Sequence, residues 1–205
     1  MKKSKGKDTK TNAMRILDKN KIAYKEHLYE CDGFMDGVSI AQKLGQPTER
    51  VFKTLVAEGK SKQYYVYMLP VAEELNLKAA AAAVGEKSVE MIHVKDINAI
   101  TGYIRGGCSP IGMKKQFKTV ADSSAKNFDE IIFSGGRLGA QIEMNPNELA
   151  DLINMDFADI IKQPTFAICK GRLSYFLFFE HIRKLSYRYG KIFDSVKHVF
   201  FVMIV

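Results

Sequence analysis

Residues 51–70 contain two runs rich in β-branched and aromatic side chains, and only the turn sequence Gly59-Lys60-Ser61-Lys62 separates them. Two such runs on either side of a short turn are typical of a β-hairpin. A hairpin joins antiparallel strands, whereas parallel strands need a long crossover between them. The sequence therefore predicts a sheet that is not purely parallel.

Helix signals occur on both sides of this hairpin. Asn76 can cap a helix through five alanines, which have the highest helix propensity, and Gly85 can end it. Asn145 followed by Pro146 and Glu148 has the pattern of a capped helix start. Further helices are predicted from Thr9 or Thr11 and at 39–44, and further strands at 22–30, 118–121, 131–134 and 140–144. The pattern predicts a mixed α/β fold with a mixed sheet.

The two ends of the chain differ from its middle. Residues 1–10 are polar and rich in lysine, so we expect a flexible basic tail there. Residues 163–205 hold 10 of the 22 aromatic side chains and follow neither a helical nor a strand period. Three interpretations of this extension remain open: a membrane-binding or partner-binding segment, a packed helix pair, or an untypical translation product such as a shifted reading frame. The domain itself is predicted at residues 11–162.

The net charge of +8 suggests an anionic partner such as a nucleic acid. The two ends carry this excess, because residues 12–162 hold 19 basic and 20 acidic side chains. A nearly neutral domain favours a small site for the end of a nucleic acid over a broad phosphate-binding face. The sequence shows no secretory signal and no run of 18 apolar residues, so we expect no membrane partner. Three widely separated cysteines favour a reducing cytoplasm.

The common cofactor and metal motifs do not match. Two glycines have the spacing of a phosphate-binding loop, but Cys108 stands where that loop needs a lysine. Residues 134–139 fail the dinucleotide pattern, and the four histidines lack metal-site spacing. A G-x-S-x-G nucleophile elbow is also missing from the sequence. We therefore expect neither a cofactor nor a metal.

Lys53 is unusual, because strand alternation places it on the same apolar face as Val51 and Leu55. One interpretation is that its ammonium extends to water at the sheet edge. The other is a fixed cation in a pocket, able to bind a phosphate or a developing negative charge.

Two glycine loops likewise have a structural and a functional interpretation. Gly106-Gly107 and Ser134-Gly135-Gly136 are turns in the simplest interpretation, but glycines also let backbone N–H groups approach a ligand closely. Such N–H groups can form an oxyanion hole. Cys108 has no adjacent histidine or helix start to lower its pKa, so packing is its simpler role.

Taken in order, several segments resemble the YbaK/EbsC family of Cys-tRNA(Pro)/Cys-tRNA(Cys) deacylases, which are related to the editing domain of prolyl-tRNA synthetase. The resemblance covers roughly residues 11–162. The matching segments are Val51-Phe-Lys-Thr-Leu55, Pro70-Val-Ala72, Leu75-Asn-Leu-Lys78, residues 85–91, residues 101–112, Ser134-Gly-Gly136 through Glu143, and Phe157-Ala-Asp-Ile160. The resemblance implies a curved, barrel-like mixed sheet flanked by helices. It also implies a cleft for the aminoacylated 3′ end of tRNA.

The implied activity is trans-editing: hydrolysis of mischarged aminoacyl-tRNA, above all Cys-tRNA(Pro), with backbone oxyanion stabilisation and help from the substrate's own thiol. Prolyl-tRNA synthetase is an implied partner. The alternative is a non-catalytic module that holds a tRNA 3′ end or a nucleotide beside a synthetase.

The resemblance also assigns site residues. Lys53 and Gly106 are expected to be catalytic. The residues expected to bind substrate are Tyr29, Thr54, Gly107, Ser109, Ser134, Gly135 and Gln141. Gln141 departs from the family pattern, which has an acidic residue there, and an amide could still hydrogen-bond a ribose or an amine.

Overall fold

The computed structural model describes residues 10–31 and 33–162 of the 205. The predicted extension at 163–205 and all but Lys10 of the predicted tail lie outside these residues. In chain order the elements are α1 (Asn12–Lys19), β1 (Lys25–Leu28), α2 (Gly37–Lys43), β2 (Val51–Gly59), β3 (Tyr64–Pro70), α3 (Leu77–Val84), β4 (Val89–Met91), α4 (Ile97–Thr101), β5 (Lys118–Asp122), β6 (Ile131–Ser134), β7 (Ala140–Met144), α5 (Pro146–Ile153) and β8 (Met155–Ala158). Short 3₁₀ turns lie at Val94–Asp96 and Ser123–Asn127.

The local signals in the sequence act as predicted. Strands β2 and β3 form the antiparallel hairpin, with Phe52 opposite Pro70 and Glu58 opposite Tyr64. The Asn76 side chain accepts hydrogen bonds from two backbone N–H groups at the start of α3, and Asn145 does the same for α5. Gly85 ends α3 in the left-handed conformation, which a residue without Cβ adopts without strain.

The strands form a mixed sheet in the order β1-β7-β6-β2-β3-β5-β8, with β4 paired to β2 beside this path. The pairs β1–β7, β6–β7, β2–β3 and β2–β4 are antiparallel, whereas β2–β6, β3–β5 and β5–β8 are parallel. The mixed α/β fold predicted from the sequence is confirmed. Within the described residues the sheet is open, with β1 and β8 at its two ends.

Helices cover both faces of the sheet. Helices α1 and α5 pack on one face, in a core that contains Met14, Phe52 and Leu149. Helix α3 packs on the other face against Tyr67 and Leu69. Helix α2 lies on that second face too, over a smaller cluster of Ala41, Val51, Val71 and Ile132. No helix in the described ranges is long and apolar enough to cross a bilayer.

Four elements differ from the sequence-based expectation, among them the five-residue helix α4, which was not predicted. Strand β1 is shorter than the predicted 22–30, because its partner β7 pairs only from Lys25 to Leu28. Strands β4 and β8 were not predicted, and each has only three or four residues. Such short strands are determined by the neighbours they pair with rather than by their own residues.

Candidate functional site

A cavity of about 400 Å³ opens where the sheet divides. One edge of β2 pairs with β6 at Val51 and Phe52, and with β4 from Ala57 to Gly59. Residues 53–55 lie between these two ladders and line the cavity, together with Ser134 at the end of β6. The division of the sheet therefore places the middle of β2 against open space instead of a neighbouring strand.

Lys53 lies at this division, between the apolar cluster under α2 and the cluster under α3. Its side chain is only partly exposed, and its Nζ donates to the Val71 carbonyl oxygen at 3.0 Å. Burial lowers the pKa of Lys53, and the nearby charges of Glu74 and Glu73 only partly offset this effect. A cation that remains half-buried in a cavity matches the fixed-cation interpretation better than an ammonium extended into water.

Thr54 provides an unsatisfied hydroxyl next to Lys53. Its Oγ1 is buried and has no hydrogen-bond partner among the described residues. Buried polar groups in folded proteins are nearly always hydrogen-bonded, so this hydroxyl is free to bond a polar ligand or an ordered water.

The two glycine loops singled out from the sequence contact each other. A Cβ built on Gly107 would lie 3.1 Å from the Cα of Arg137, so the two backbones are in direct contact. A Cβ built on Gly106 would lie 2.9 Å from the Leu138 side chain, and its φ of +81° is in the left-handed region. Gly107 needs glycine for the close approach of the two backbones, and Gly106 needs it for the positive φ. Of the two, only Gly106 lines the cavity.

Three predicted binding residues lie behind the cavity wall instead of in it. The Gly107 N–H donates to the Ile104 carbonyl at 3.0 Å, and the Gly135 N–H donates to Ala140 at 2.9 Å. Ser109 is fully buried, and its Oγ accepts from the Ile111 N–H at 3.3 Å. These contacts shape the two loops and leave none of the three in the cavity lining.

Tyr103 holds the first glycine loop closed. Its hydroxyl donates to the Ile111 carbonyl at 2.7 Å, and its backbone N–H donates to Thr101 Oγ1 at 3.0 Å. Burial raises the pKa of Tyr103 to about 12, so the hydroxyl stays protonated and able to donate. The loop that carries Gly106 is therefore fixed at both ends.

The remaining predicted residues line the same cavity from strands β6 and β7 and from the residue that follows β1. Tyr29, Ser134 and Gln141 line the cavity, and Ser134 pairs with Gln141 across β6 and β7. Burial raises the pKa of Tyr29. The buried Gln141 accepts a hydrogen bond at its Oε1 from Gln46 Nε2, at 3.0 Å. Six of the nine predicted residues thus lie together in the cavity: Tyr29, Lys53, Thr54, Gly106, Ser134 and Gln141.

An ion network supports the strand that carries Gln141. Glu143 lies two residues further along β7 and accepts hydrogen bonds from Arg50 and His27, each at 2.7 Å. Burial acts to raise the pKa of Glu143, but the His27 hydrogen bond and the charges of Lys25 and Arg50 outweigh it and lower the pKa. Arg50 and Gln46 belong to the same segment, so this segment is tied to β7 at two points.

The sequence did not reveal Phe34, Arg105 and Gln46. Phe34 and Arg105 line the cavity. Arg105 directly precedes Gly106, which is the one local signal that could have drawn attention to it. Gln46 reaches Gln141 across 95 positions of the chain, and no local pattern indicates such a contact.

Cys108 also lines the cavity. Burial raises the pKa of its thiol to about 11. At pH 7 only about one molecule in 10⁴ would carry the thiolate at that pKa, so Cys108 is a poor nucleophile. This agrees with the packing role expected from the sequence.

A family model described as "Aminoacyl-tRNA editing domain" matches residues 35–152, which is more than half of the chain. The chain belongs to this family. The match includes Lys53, Thr54, Gly106, Ser134 and Gln141 but begins after Tyr29. The family resemblance seen in the sequence is thereby confirmed.

Individual relatives extend this finding. A protein of Enterococcus faecalis named "Putative Cys-tRNA(Pro)/Cys-tRNA(Cys) deacylase EbsC" is 47% identical over 152 residues, which are 74% of this chain and 93% of that protein. A proline–tRNA ligase of Thermosipho melanesiensis is 27% identical over 122 residues, which are 60% of this chain but only 21% of the ligase. The editing domain of this chain thus matches a small part of a synthetase and nearly all of a separate protein.

Two solved structures share the fold. One is described as "a putative trans-editing enzyme for prolyl tRNA synthetase" and has a TM-score of 0.61 at 22% identity, covering 68% of this chain and 87% of that chain. The other, a hypothetical protein, has a TM-score of 0.67 at 20% identity and covers 72% of this chain and 97% of that chain. At such identities the likeness shows the fold alone.

Proposed function

We propose that this protein is a trans-editing deacylase that hydrolyses mischarged aminoacyl-tRNA, and that Cys-tRNA(Pro) is its main substrate. The 47% identity to the deacylase-named relative, over nearly all of its length, carries the proposal. The cavity agrees with it, because about 400 Å³ is a typical size for a small-molecule site. The aminoacyl ester and its adenosine are the part of the tRNA that would enter.

Lys53 binds the negatively charged part of this substrate. The ammonium at the division of the sheet positions the terminal phosphate or ribose, and the unpaired Thr54 hydroxyl, from the next residue of the same strand, adds a second polar contact to the substrate. Gln141 hydrogen-bonds the ribose or the amine from strand β7, with its amide oriented by Gln46. Fixing an ester in one orientation can supply up to roughly 7–11 kcal/mol of barrier reduction.

The Gly106 N–H stabilises the oxygen of the ester carbonyl as it becomes negative. Gly107 cannot share this role, because its N–H already donates to Ile104. Loss of one such donor typically lowers the rate by about 10² to 10³. The hydrogen bonds of Tyr103 fix the loop, so the Gly106 N–H is in place before the reaction begins.

The nucleophile is the thiol of the substrate's cysteine. Its sulfur attacks the ester carbonyl carbon, the bond from that carbon to the ribose oxygen breaks, and the thiol proton ends on that oxygen. The products are a free tRNA 3′ end and a cyclic thioester, which water hydrolyses to cysteine. This route needs no protein nucleophile, which agrees with the raised pKa of Cys108.

The decisive experiment compares three esters on the same tRNA(Pro): cysteinyl, seryl and alanyl. Cysteine should be released at least 10²-fold faster than serine, because serine differs only in carrying a hydroxyl where cysteine has the more nucleophilic thiol. Equal rates for cysteine and serine would contradict substrate assistance. Binding of Cys-tRNA(Pro) without release of cysteine would instead support the non-catalytic module.

The tRNA substrate also suggests a protein partner and a cellular location. Prolyl-tRNA synthetase makes the mischarged product, and a synthetase is among the relatives of this chain. We propose that the protein acts beside that enzyme in the cytoplasm, on tRNA that the synthetase has released.

A further inference from the structure

A cation–π pair forms part of the cavity mouth. The guanidinium carbon of Arg105 lies 4.0 Å from the centre of the Phe34 ring, and both residues line the cavity. Phe34 is 53% exposed, and Arg105 is exposed as well. A large aromatic side chain with half of its surface in solvent is an available contact surface.

The pair is attached to the loop that carries Gly106. A Cβ built on Gly106 would lie 3.3 Å from Cδ2 of Phe34, so the ring packs directly on that glycine. Arg105 is the neighbour of Gly106 in the chain. The pair therefore has a fixed position relative to the proposed oxyanion donor.

The charges of the lining residues suit an anionic ligand that extends out of the cavity. Among the described residues, the charged side chains that line the cavity are those of Lys53, Arg105 and Asp36. The Asp36 carboxylate is committed to the start of α2, where it accepts from the N–H groups of Val38 and Ser39. A ligand that spans the site meets one cation beside β2 and another at the mouth.

The two side chains at the mouth match the chemistry of an unpaired nucleotide. An arginine offers a planar fork of donors that fits phosphate oxygens. An aromatic face stacks on any unpaired base. When the aminoacylated adenosine occupies the cavity, the preceding nucleotide lies outside it.

We propose that Arg105 and Phe34 bind the nucleotide that precedes the aminoacylated adenosine, Arg105 through its phosphate and Phe34 through its base. This inference rests on the proposed function and adds an RNA contact outside the reacting ester. Arg105 acts on the RNA and not on the aminoacyl group.

The test compares two substrates, Cys-tRNA(Pro) and the small ester 3′-cysteinyl-adenosine, which lacks the preceding nucleotide. Arg105→Ala should raise KM for Cys-tRNA(Pro) about tenfold with kcat within about twofold. Hydrolysis of the small ester should stay unchanged. Arg105→Lys should keep part of the tRNA affinity, because the charge remains while the planar fork is lost.

Lys126 provides a matched control. Its Nζ lies 4.5 Å from the centre of the Phe157 ring, in a second cation–π pair that does not line the cavity. Lys126→Ala removes the same charge and the same kind of contact. The Lys126→Ala variant should hydrolyse both substrates with the wild-type kcat and KM.

Two outcomes would overturn the inference while the proposed function stands. Equal losses on both substrates would mean that Arg105 acts through the Gly106 loop, and no loss on Cys-tRNA(Pro) would mean that it makes no RNA contact. If the wild-type protein released cysteine from neither substrate, that result would contradict the proposed function itself, and the inference that rests on it would be lost as well.

Discussion

The ammonium of Lys53 works against folding at neutral pH. Burial lowers its pKa in the folded protein below the value of an ordinary lysine. The charged form is therefore less favourable in the fold than in the unfolded chain at any pH below the folded pKa. An uncharged side chain of similar length should relieve this cost, although it also removes the hydrogen bond to Val71 and the attraction of Glu74 and Glu73.

Lys53→Met should separate activity from stability. Deacylation of Cys-tRNA(Pro) should fall by about 10² or more, because the cation that positions the substrate is gone. The melting temperature at pH 7 should stay the same or rise, since a half-buried charge has been replaced by an apolar chain. Deacylation assays and thermal unfolding followed by circular dichroism measure the two quantities.

Lys60→Met is the control for this experiment, since Lys60 is exposed at the hairpin turn. It should leave both activity and melting temperature close to those of the unchanged protein. Retention of activity within a few fold in Lys53→Met would assign Lys53 a structural role and contradict the proposed site.

At the scale of residues, the sequence predicts what depends on near neighbours. Lys53 could be recognised because a lysine on an apolar strand face violates a two-residue period visible in seven positions. The orientation of Gln141 depends on Gln46, and the position of Arg105 depends on Phe34. Those contacts form only when segments that are distant in the chain meet, so neither strand alternation nor motif spacing in the sequence predicts them.

At the scale of elements, Gly106 and Gly85 provide a natural comparison. Both have φ of +81°, so an added Cβ brings a similar backbone strain of about 1–2 kcal/mol at each. They differ in their surroundings. A Cβ at Gly85 meets nothing within 4 Å, whereas one at Gly106 meets Leu138 and Phe34.

Gly106→Ala should abolish most of the deacylase activity, whereas Gly85→Ala should lower only stability. Alanine at 106 combines strain at a positive φ with clashes against the Leu138 and Phe34 side chains, and the shifts that relieve them should misalign the proposed oxyanion donor, with an expected loss of about 10² or more in kcat. Alanine at 85 should lower the free energy of unfolding by about 1 kcal/mol with kcat unchanged. Urea unfolding and single-turnover kinetics on both variants check this pair of outcomes.

Equal kinetic effects of the two substitutions would contradict a special role for Gly106. They would indicate that strain alone, wherever it is introduced, lowers the activity.

The helices and strands that could be predicted are marked by residues within the element or next to it in the chain. Asn76 with Gly85 and Asn145 with Pro146 mark two helices by their ends, and the turn at 59–62 marks the hairpin. The cavity could not be predicted in this way. It exists because β2 changes partner from β6 to β4, and β4 is a three-residue strand with little signal of its own.

At the scale of the whole molecule, the distribution of charge limits how the protein can hold RNA. Residues 12–162 carry a net charge of −1, although the full chain carries +8. A broad phosphate-binding face needs many basic side chains, and the cavity lining offers Lys53 and Arg105. The domain should therefore recognise the end of the tRNA with few ionic contacts.

The salt dependence of kcat/KM shows whether the domain contacts few or many phosphates of the tRNA. For a single-stranded RNA end, each phosphate contact contributes about −0.7 to the slope of log(kcat/KM) against log[KCl]. A fragment of residues 10–162, which contains all the described elements, should give a slope near −1.4 if Lys53 and Arg105 each contact a phosphate. The full chain should show a steeper slope if its terminal lysines and arginines also meet the tRNA. A slope of about −4 or steeper for the fragment would mean that the domain itself has a broad RNA-binding face, against the neutral charge of its sequence.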